Sequence, residues 1–429
     1  MKAHQANFYF TIFILLCGLI AIAGCKHDEP LIKSVVSIQS AENVTTTTAT
    51  LVALVTPNQE STNITFEYRP TADPIWKSQV MTEKLSGSVA IKVTAELKDL
   101  VPNTQYAYRA KALNAAGEVI SSTITFTTGV LAQATAATYP AESITLTTAK
   151  VRATIYPNQA NTNVSLEYRV IGVSTWSNQA WTSSLSGTSP VEVNFELSTL
   201  VAGSKYEYRV KAINLAGEVV SPNASFETYA VADYDGNLYH SVTIGTQTWL
   251  KENFRGTHYA NGDPIPNVTN PDTWSTLTTG AYCYYNNDPE IGKVYGGLYN
   301  WWVGADARGL IIGWHFSRED EWSIIAGYLG AYLPAGLAMM EAGNSHWNST
   351  KYPATNSSGF TALPNGAFAL DAATNKFIFM NLNEAATFWT PASYGTNGDA
   401  VIIASSNCGL SGGLLYNKNY GFGIRLVKN

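Results

Sequence analysis

The sequence predicts a multidomain fold: two all-β sandwiches in tandem, followed by an α+β domain. Three observations predict it. The segment "TPNQESTNITFEYR" (Thr56–Arg69) returns as "YPNQANTNVSLEYR" (Tyr156–Arg169), and "YAYRAKALNAAGEV" (Tyr106–Val119) returns as "YEYRVKAINLAGEV" (Tyr206–Val219), always 100 positions on. Both copies alternate apolar and polar residues with period two between Pro, Asn and Gly turns, the signature of half-buried strands. From Asp233 onward the pattern changes, and eight of the eleven tryptophans fall in this last stretch.

At the N-terminus, Lys2 and His4 precede an apolar run from Phe8 to Ile22. That run is shorter than the roughly 20 residues that span a bilayer. Small residues follow it rather than a stop-transfer charge cluster, so residues 1–24 read as a cleaved signal. The ending "IAGC" resembles the lipobox of bacterial lipoproteins, with Cys25 as the lipidated first residue. The "KHDEP" that follows is similar to the acidic export tag of Bacteroidota surface lipoproteins. This resemblance implies an outer-membrane lipoprotein exposed on the cell surface, residues 25–32 being its lipidated N-terminus and linker. The remaining length suits two to four domains.

Residues 33–128 and 129–229 are the two sandwiches. Trp76 matches Trp176, and the "LSG" at Leu85 matches that at Leu185. A length of about 100 residues with short alternating strands is that of an antiparallel sandwich. The run "LKDLVPNTQYAYRAKA" resembles the entry into strand F of a fibronectin type III domain, where a tyrosine corner forms. Tyr106 and Tyr206 are its expected tyrosines, their hydroxyls bonded to backbone, with Tyr108 and Tyr208 on the same face. The linkers around Thr128–Gln133 and Thr228–Asp233 are short and lack long Gly/Ser runs, as in a semi-rigid stalk.

Residues 233–429 carry "DYDGNLYHSVTIGTQTWLKENF", "YCYYNND", "YGGLYNWW", "GWHFSREDEW", "SGFTALPNG" and "GFGIRLVKN". In that order and spacing they resemble the Fibrobacter succinogenes major paralogous domain, whose fold is similar to that of C-type lectins. Within "GWHFSREDEW", Ser317 is the expected N-cap of a helix, with Glu319, Asp320 and Glu321 in its first turn, where the helix dipole favours acids. Trp322, Ile325, Ala326 and Leu329 recur at helical spacing as one buried stripe, and Gly330 ends the helix. His315 is then a structural residue. Members of the resembled family often carry a cysteine about three residues before "GWH" and another near the C-terminus. Leu310 and Leu426 stand at those places, which implies that the two leucines touch in the core. Whether Cys283 and Cys408 pair is left open by the sequence.

No catalytic residues are expected. The histidines are scattered rather than clustered as metal ligands, and no nucleophile elbow or phosphate loop occurs. Asp288, Glu290, Asp306 and Glu384 could in principle supply the carboxylates of a glycosidase, but no motif singles out a pair. "DYDG" (Asp233–Gly236) reads as an Asx turn rather than a calcium loop. "YNND" (Tyr285–Asp288) lacks the companion triplet of calcium-dependent lectins, so neither metal nor cofactor is expected. The net charge of −6 speaks against nucleic acid. Sugar rings stack their C–H faces on aromatic side chains and bond through their hydroxyls to amides, carboxylates and imidazoles. Trp347, Trp389, Tyr394, His346, Tyr352 and Tyr416, with Tyr284, Asn286 and Asp288 beside them, are therefore the candidate glycan-binding residues. The expected protein is a non-catalytic surface lipoprotein that captures a polysaccharide, with a neighbouring glycan transporter complex as a further partner. The alternative is an adhesin or structural surface component that binds a protein.

Overall fold

The computed structural model describes residues 30–348 and 350–429. The signal segment and Cys25 lie outside them. The chain divides into two compact units, the first running to Leu131 and the second from Ala132 to Asn429.

The first unit holds β1 (Val35–Glu42), β2 (Ala49–Thr56), β3 (Asn63–Pro70), β4 (Lys77–Val80), β5 (Ile91–Leu97), β6 (Gln105–Asn114), β7 (Gly117–Ile120) and β8 (Ile124–Thr127). One sheet has the order β1-β2-β5; the other runs β4-β3-β6-β7, with β8 also on β6. Alternation decides which residues go inside. Leu51, Ala53, Val55, Ile64, Phe66, Ala110 and Ala112 fill the space between the sheets. The second sandwich repeats the arrangement with β9 (Thr135–Thr138), β10 (Ala149–Tyr156), β11 (Asn163–Val170), β12 (Ser177–Ala180), β13 (Val191–Leu197), β14 (Lys205–Asn214), β15 (Gly217–Val220) and β16 (Ala224–Glu227). Its sheets are β13-β10-β9 and β12-β11-β14-β15, with β16 on β14. These are fibronectin type III-like sandwiches. In each, a tyrosine corner closes: the hydroxyl of Tyr106 accepts the Val101 N–H at 2.9 Å and that of Tyr206 accepts the Val201 N–H at 2.9 Å. On the outer face the indole of Trp76 lies between Arg69 and Arg109, and that of Trp176 between Arg169 and Arg209, as cation–π layers.

The short connection expected around Thr228–Asp233 includes strand β17 (Val231–Ala232), which pairs with β18 (Leu238–Tyr239) around the "DYDG" turn. Asp233 makes that turn, its carboxylate accepting the Asn237 N–H at 2.9 Å and the Tyr239 hydroxyl at 2.7 Å. The domain continues through β19 (Ser241–Ile244), β20 (Gln247–Leu250), α1 (Pro271–Ser275), β21 (Tyr282–Cys283), α2 (Pro289–Tyr295), β22 (Leu298–Tyr299), α3 (Trp301–Gly304) and β23 (Trp314–Phe316). It ends with α4 (Glu319–Tyr328), α5 (Tyr332–Met339), β24 (Asn365–Asp371), β25 (Lys376–Leu382), β26 (Ala385–Tyr394), β27 (Asn397–Ala404), β28 (Leu410–Asn417) and β29 (Leu426–Lys428). The last strand is internal to a sheet of order β19-β20-β29-β23. None of the described helices is by itself long and apolar enough to cross a membrane.

The stripe expected on α4 is buried at Trp322 and Ile325, with Ala326 and Leu329 packed against the same core cluster. The cap differs from the expectation. Arg318 is the N-cap and Glu321 the third helical residue, its carboxylate accepting the Arg318 N–H at 2.8 Å. Ser317 is buried instead, its hydroxyl taking the Trp322 indole N–H at 3.0 Å. Glu321 also holds His315 Nε2 at 2.7 Å, so this histidine is scaffold. The other described histidines are likewise paired: His240 with Glu252, His258 with Asp235 and His346 with Glu341. Leu310 and Leu426 share one core cluster and one crevice of about 290 Å³. Cys283 and Cys408 are both buried, and they are free thiols.

The C-terminal core is tied together by Arg425 of the "GFGIR" segment. Its guanidinium is fully buried and donates to the carbonyls of Leu250 at 2.7 Å and Phe360 at 3.0 Å, to that of Lys251, and to Asn253 Oδ1 at 2.7 Å. Burial pushes its pKa down to about 9, so it is still cationic at neutral pH.

Candidate functional site

The nine sequence-predicted residues do not form one site. Trp347 is 2 % exposed and gives its indole N–H to the Ala362 carbonyl at 3.0 Å; Trp389 is fully buried and bonds the Tyr299 carbonyl at 2.9 Å. Both rings are core, in different clusters, and neither offers a face to a ligand. Asp288 is the N-cap of α2, accepting the Glu290 N–H at 2.9 Å. Asn286 occupies the left-handed region at φ 53° in the turn before it. Tyr284 packs its ring over Gly292, where a Cβ would lie 2.1 Å from it. His346 is held by Glu341 and meets the Tyr295 ring edge-on at 5.5 Å. Tyr394, at 63 % exposure, sits at the β26–β27 turn, and Tyr352 is exposed on the loop that follows α5. Tyr416 is half-buried, with its ring tilted against Tyr420 and edge-on to Phe422.

That last contact leads to a crevice of about 480 Å³ between α1, the β24–β25 hairpin and the end of β28. Each wall has a local cause. Asn270 caps α1 by accepting the Thr273 N–H at 2.9 Å, and Pro271 begins the helix, where its missing N–H costs nothing. Trp274 anchors the helix from below, its indole N–H on the Asn419 carbonyl and its ring edge-on to Phe368 at 5.3 Å. Pro271, Asp272 and Ser275 are thereby turned toward the crevice. Opposite, Asp371 folds the hairpin turn by accepting the Thr374 hydroxyl at 2.6 Å and the Ala373 N–H at 3.2 Å, and the Thr374 hydroxyl bond holds its carboxyl below the usual range. Asn375 completes the turn at φ 52°, a conformation asparagine tolerates. The third wall is the "YNKNY" turn, where Asn417 Oδ1 accepts the Asn419 N–H at 2.9 Å and sets Tyr420 perpendicular to Phe377 at 5.8 Å.

The result is an open groove with an aromatic corner, Phe377 and Tyr420, both half-buried. Around it stand the Asp272 carboxylate, the Asn375 amide, the Lys376 ammonium and the Tyr420 hydroxyl. None of these four groups is hydrogen-bonded or ion-paired to another described residue, so all are free to meet a ligand. A polyhydroxylated ring could rest on the aromatic corner while its hydroxyls reach acceptors and donors on both sides. Sequence reading pointed to Tyr416 and missed its neighbours. Tyr420, four residues on, shares the aromatic–amide composition of that segment, whereas Asp272 and Lys376 carry no local signal.

A second crevice, about 400 Å³ and mostly apolar, runs between α4, α5 and β28. Tyr332 lines it, and Ile324 and Tyr328 are exposed on the same pair of helices. Among the described residues no group of three or more His, Cys, Asp or Glu side chains is placed to hold a metal ion.

Residues 242–428 match the family model of the Fibrobacter succinogenes major domain, so the C-terminal part of this chain is such a domain. No curated protein is similar to the chain. Among solved structures, the sensor domain of the anti-sigma factor RsgI4 of Pseudobacteroides cellulosolvens is 26 % identical over 24 % of this chain and 99 % of that one, with a TM-score of 0.20. The FN1–FN3 domains of chicken CNTN1 are 15 % identical over 46 % of this chain and 67 % of that chain, with a TM-score of 0.19. Red sea bream transglutaminase is 10 % identical over 46 % and 32 % of the two chains, with a TM-score of 0.22.

Proposed function

We propose that this chain is a non-catalytic glycan-binding lipoprotein of the bacterial cell surface, anchored through Cys25, whose Fibrobacter succinogenes major domain captures a polysaccharide. The observation that carries the reading is the crevice of Phe377 and Tyr420, an aromatic corner ringed by the unengaged tips of Asp272, Asn375 and Lys376. An open groove of this kind admits an internal stretch of a polymer, which an enclosed pocket does not. The "IAGC" ending supports the anchor and the "KHDEP" run the outer-membrane, Bacteroidota surface location. In the same reading the two sandwiches give reach, the C-terminal domain has a C-type-lectin-like fold, and the captured glycan passes to a neighbouring transporter.

The test is native affinity electrophoresis of residues 26–429 in gels containing β-glucan, mannan, xylan, pectin or mucin glycans. One glycan is expected to retard the wild type, and Tyr420→Ala and Asp272→Ala each to abolish most of that retardation. A wild type that migrates freely in every gel, or variants that are retarded as strongly as it is, would overturn the reading. The second reading, a protein-binding adhesin, draws on the apolar crevice with exposed Ile324, Tyr328 and Tyr332. It predicts that Tyr328→Asp, and not Asp272→Ala, removes adhesion to a protein-coated surface.

A further inference from the structure

The duplication provides an internal comparison. The end of sandwich 2 that meets the C-terminal domain has Gly203, Lys205 and Glu227 where sandwich 1 has Asn103, Gln105 and Thr127. The backbone is equivalent in the two copies: Gln105 pairs with Thr127, and Lys205 with Glu227. The differences at 203 and 227 fall where sandwich 2 touches the C-terminal domain. Glu227 receives Lys251 of that domain, whose ammonium lies 3.0 and 2.8 Å from the two carboxylate oxygens. Gly203, at φ +66°, lets the chain come close: a Cβ there would lie 3.2 Å from Ala230 Cβ and 3.6 Å from Ser241 Oγ. The Ala230 N–H donates to the Tyr239 carbonyl at 2.8 Å, and the rings of Tyr229 and His240 lie 4.1 Å apart.

Between the joined surfaces a cleft of about 460 Å³ remains, lined by Lys205, Ser241, Thr243, Ser357 and Ser358 beside the Glu227–Lys251 pair. Several of its hydroxyls are fixed in place. Thr243 Oγ1 bonds Thr248 Oγ1 at 2.9 Å, and the Ser358 hydroxyl donates to the Ala338 carbonyl at 2.7 Å. Lys251 is neutralised by Glu227. Lys205 has no carboxylate partner among the described residues, although it stands opposite Glu227 in the ladder. The cleft thus combines one uncompensated positive charge with a wall of hydroxyls.

We infer that this joint is a second saccharide site, distinct from the aromatic crevice. It takes an anionic sugar residue, whose carboxylate or sulfate meets Lys205 and whose ring hydroxyls meet the serine and threonine wall. A charge-assisted contact of this kind is worth roughly a tenfold change in affinity. Calorimetry of residues 26–429 with oligogalacturonate, a sulfated galactan oligosaccharide and a neutral galactan oligosaccharide tests it. Lys205→Gln introduces the residue that sandwich 1 already carries at this place, so folding is preserved. It is expected to weaken one anionic probe about tenfold and to remove the salt dependence of its binding. The carboxylate and sulfate arms tell which anion is taken. Lys205 lies outside the aromatic crevice, so Lys205→Gln is expected to keep the wild-type retardation by the glycan that the crevice takes, and the two sites fail independently. Equal affinity of Lys205→Gln and wild type for both anionic probes, or no binding of either by the wild type, would sink the inference.

Discussion

Arg425→Met tests what holds the C-terminal domain together. The guanidinium is buried without a carboxylate partner among the described residues, and it binds three backbone carbonyls and Asn253. Methionine matches much of its length and fills the space against Phe360, over which the guanidinium lies at 4.2 Å. It leaves four acceptors without this donor, each costing about 1 kcal/mol or more when buried. Against that stands the relief of no longer burying a charge, which is the reason some buried ions can be replaced at little cost. With four acceptors losing this donor, the three carbonyls among them sharing the two Nη1 protons, the net loss is about 3–5 kcal/mol. For a domain of this size that lowers the melting temperature by about 6–20 °C. Tryptophan emission reports this transition, because eight of the eleven tryptophans lie from Asp233 onward. Arg425→Lys keeps the charge but loses the planar fork, and should fall between the two. A Met variant melting within about 2 °C of wild type, or above it, would show that desolvation outweighs the four bonds.

Two further outcomes are expected. Asp399 is 1 % exposed, with one carboxylate oxygen on the Thr390 hydroxyl at 2.8 Å and the other unpaired. Burial, with Glu319 nearby, raises its pKa, so the folded state holds the proton more tightly than the unfolded one. Its stabilising effect is present below the ordinary aspartate pKa and is lost as pH rises through the raised value. Asp399→Asn should therefore gain on wild type between pH 4 and pH 7 in urea midpoints, and a constant difference would contradict the assignment. Two helix glycines should respond in opposite directions. A Cβ on Gly336 would lie 2.0 Å from the Cys408 carbonyl oxygen, so Gly336→Ala should cost about 3 kcal/mol or more, whereas Gly327 has nothing within 4 Å and Gly327→Ala should gain about 0.5–1 kcal/mol. Chemical denaturation of the two variants checks both signs.

The sandwiches were legible because period-two alternation maps directly onto which side chains lie between two sheets, and the duplication displayed the same answer twice. The tyrosine corners followed from local spacing, since each hydroxyl bonds a backbone N–H only five residues away. The α4 stripe was legible for the same reason, but its cap was not. Ser317 looks like an N-cap in isolation, and only the fold shows that Trp322 claims its hydroxyl. Trp347 and Trp389 illustrate the larger gap. Composition alone does not separate a sugar platform from a core indole, because what decides is whether a carbonyl 15 or 90 residues away meets the N–H. The crevice joins residues near 272, 376 and 420, which only tertiary closure brings together. Strand β17 inside the short connection carries no sequence signal, because it is two residues long and its partner lies across a turn.

The position of β29 bears on how the C-terminal domain is made. Residues 426–428 occupy an inner place between β20 and β23, and Arg425 just before them bonds the backbone at Leu250. A chain synthesised from its N-terminus presents β20, paired only with β19, well over a hundred residues before β29 exists. Until then β20 and β23 keep open hydrogen-bonding edges, and the carbonyls that Arg425 will bind have no donor from it. Closure of this sheet therefore waits for β29, and a chain stalled a few codons short of it is expected to be adhesive and protease-sensitive.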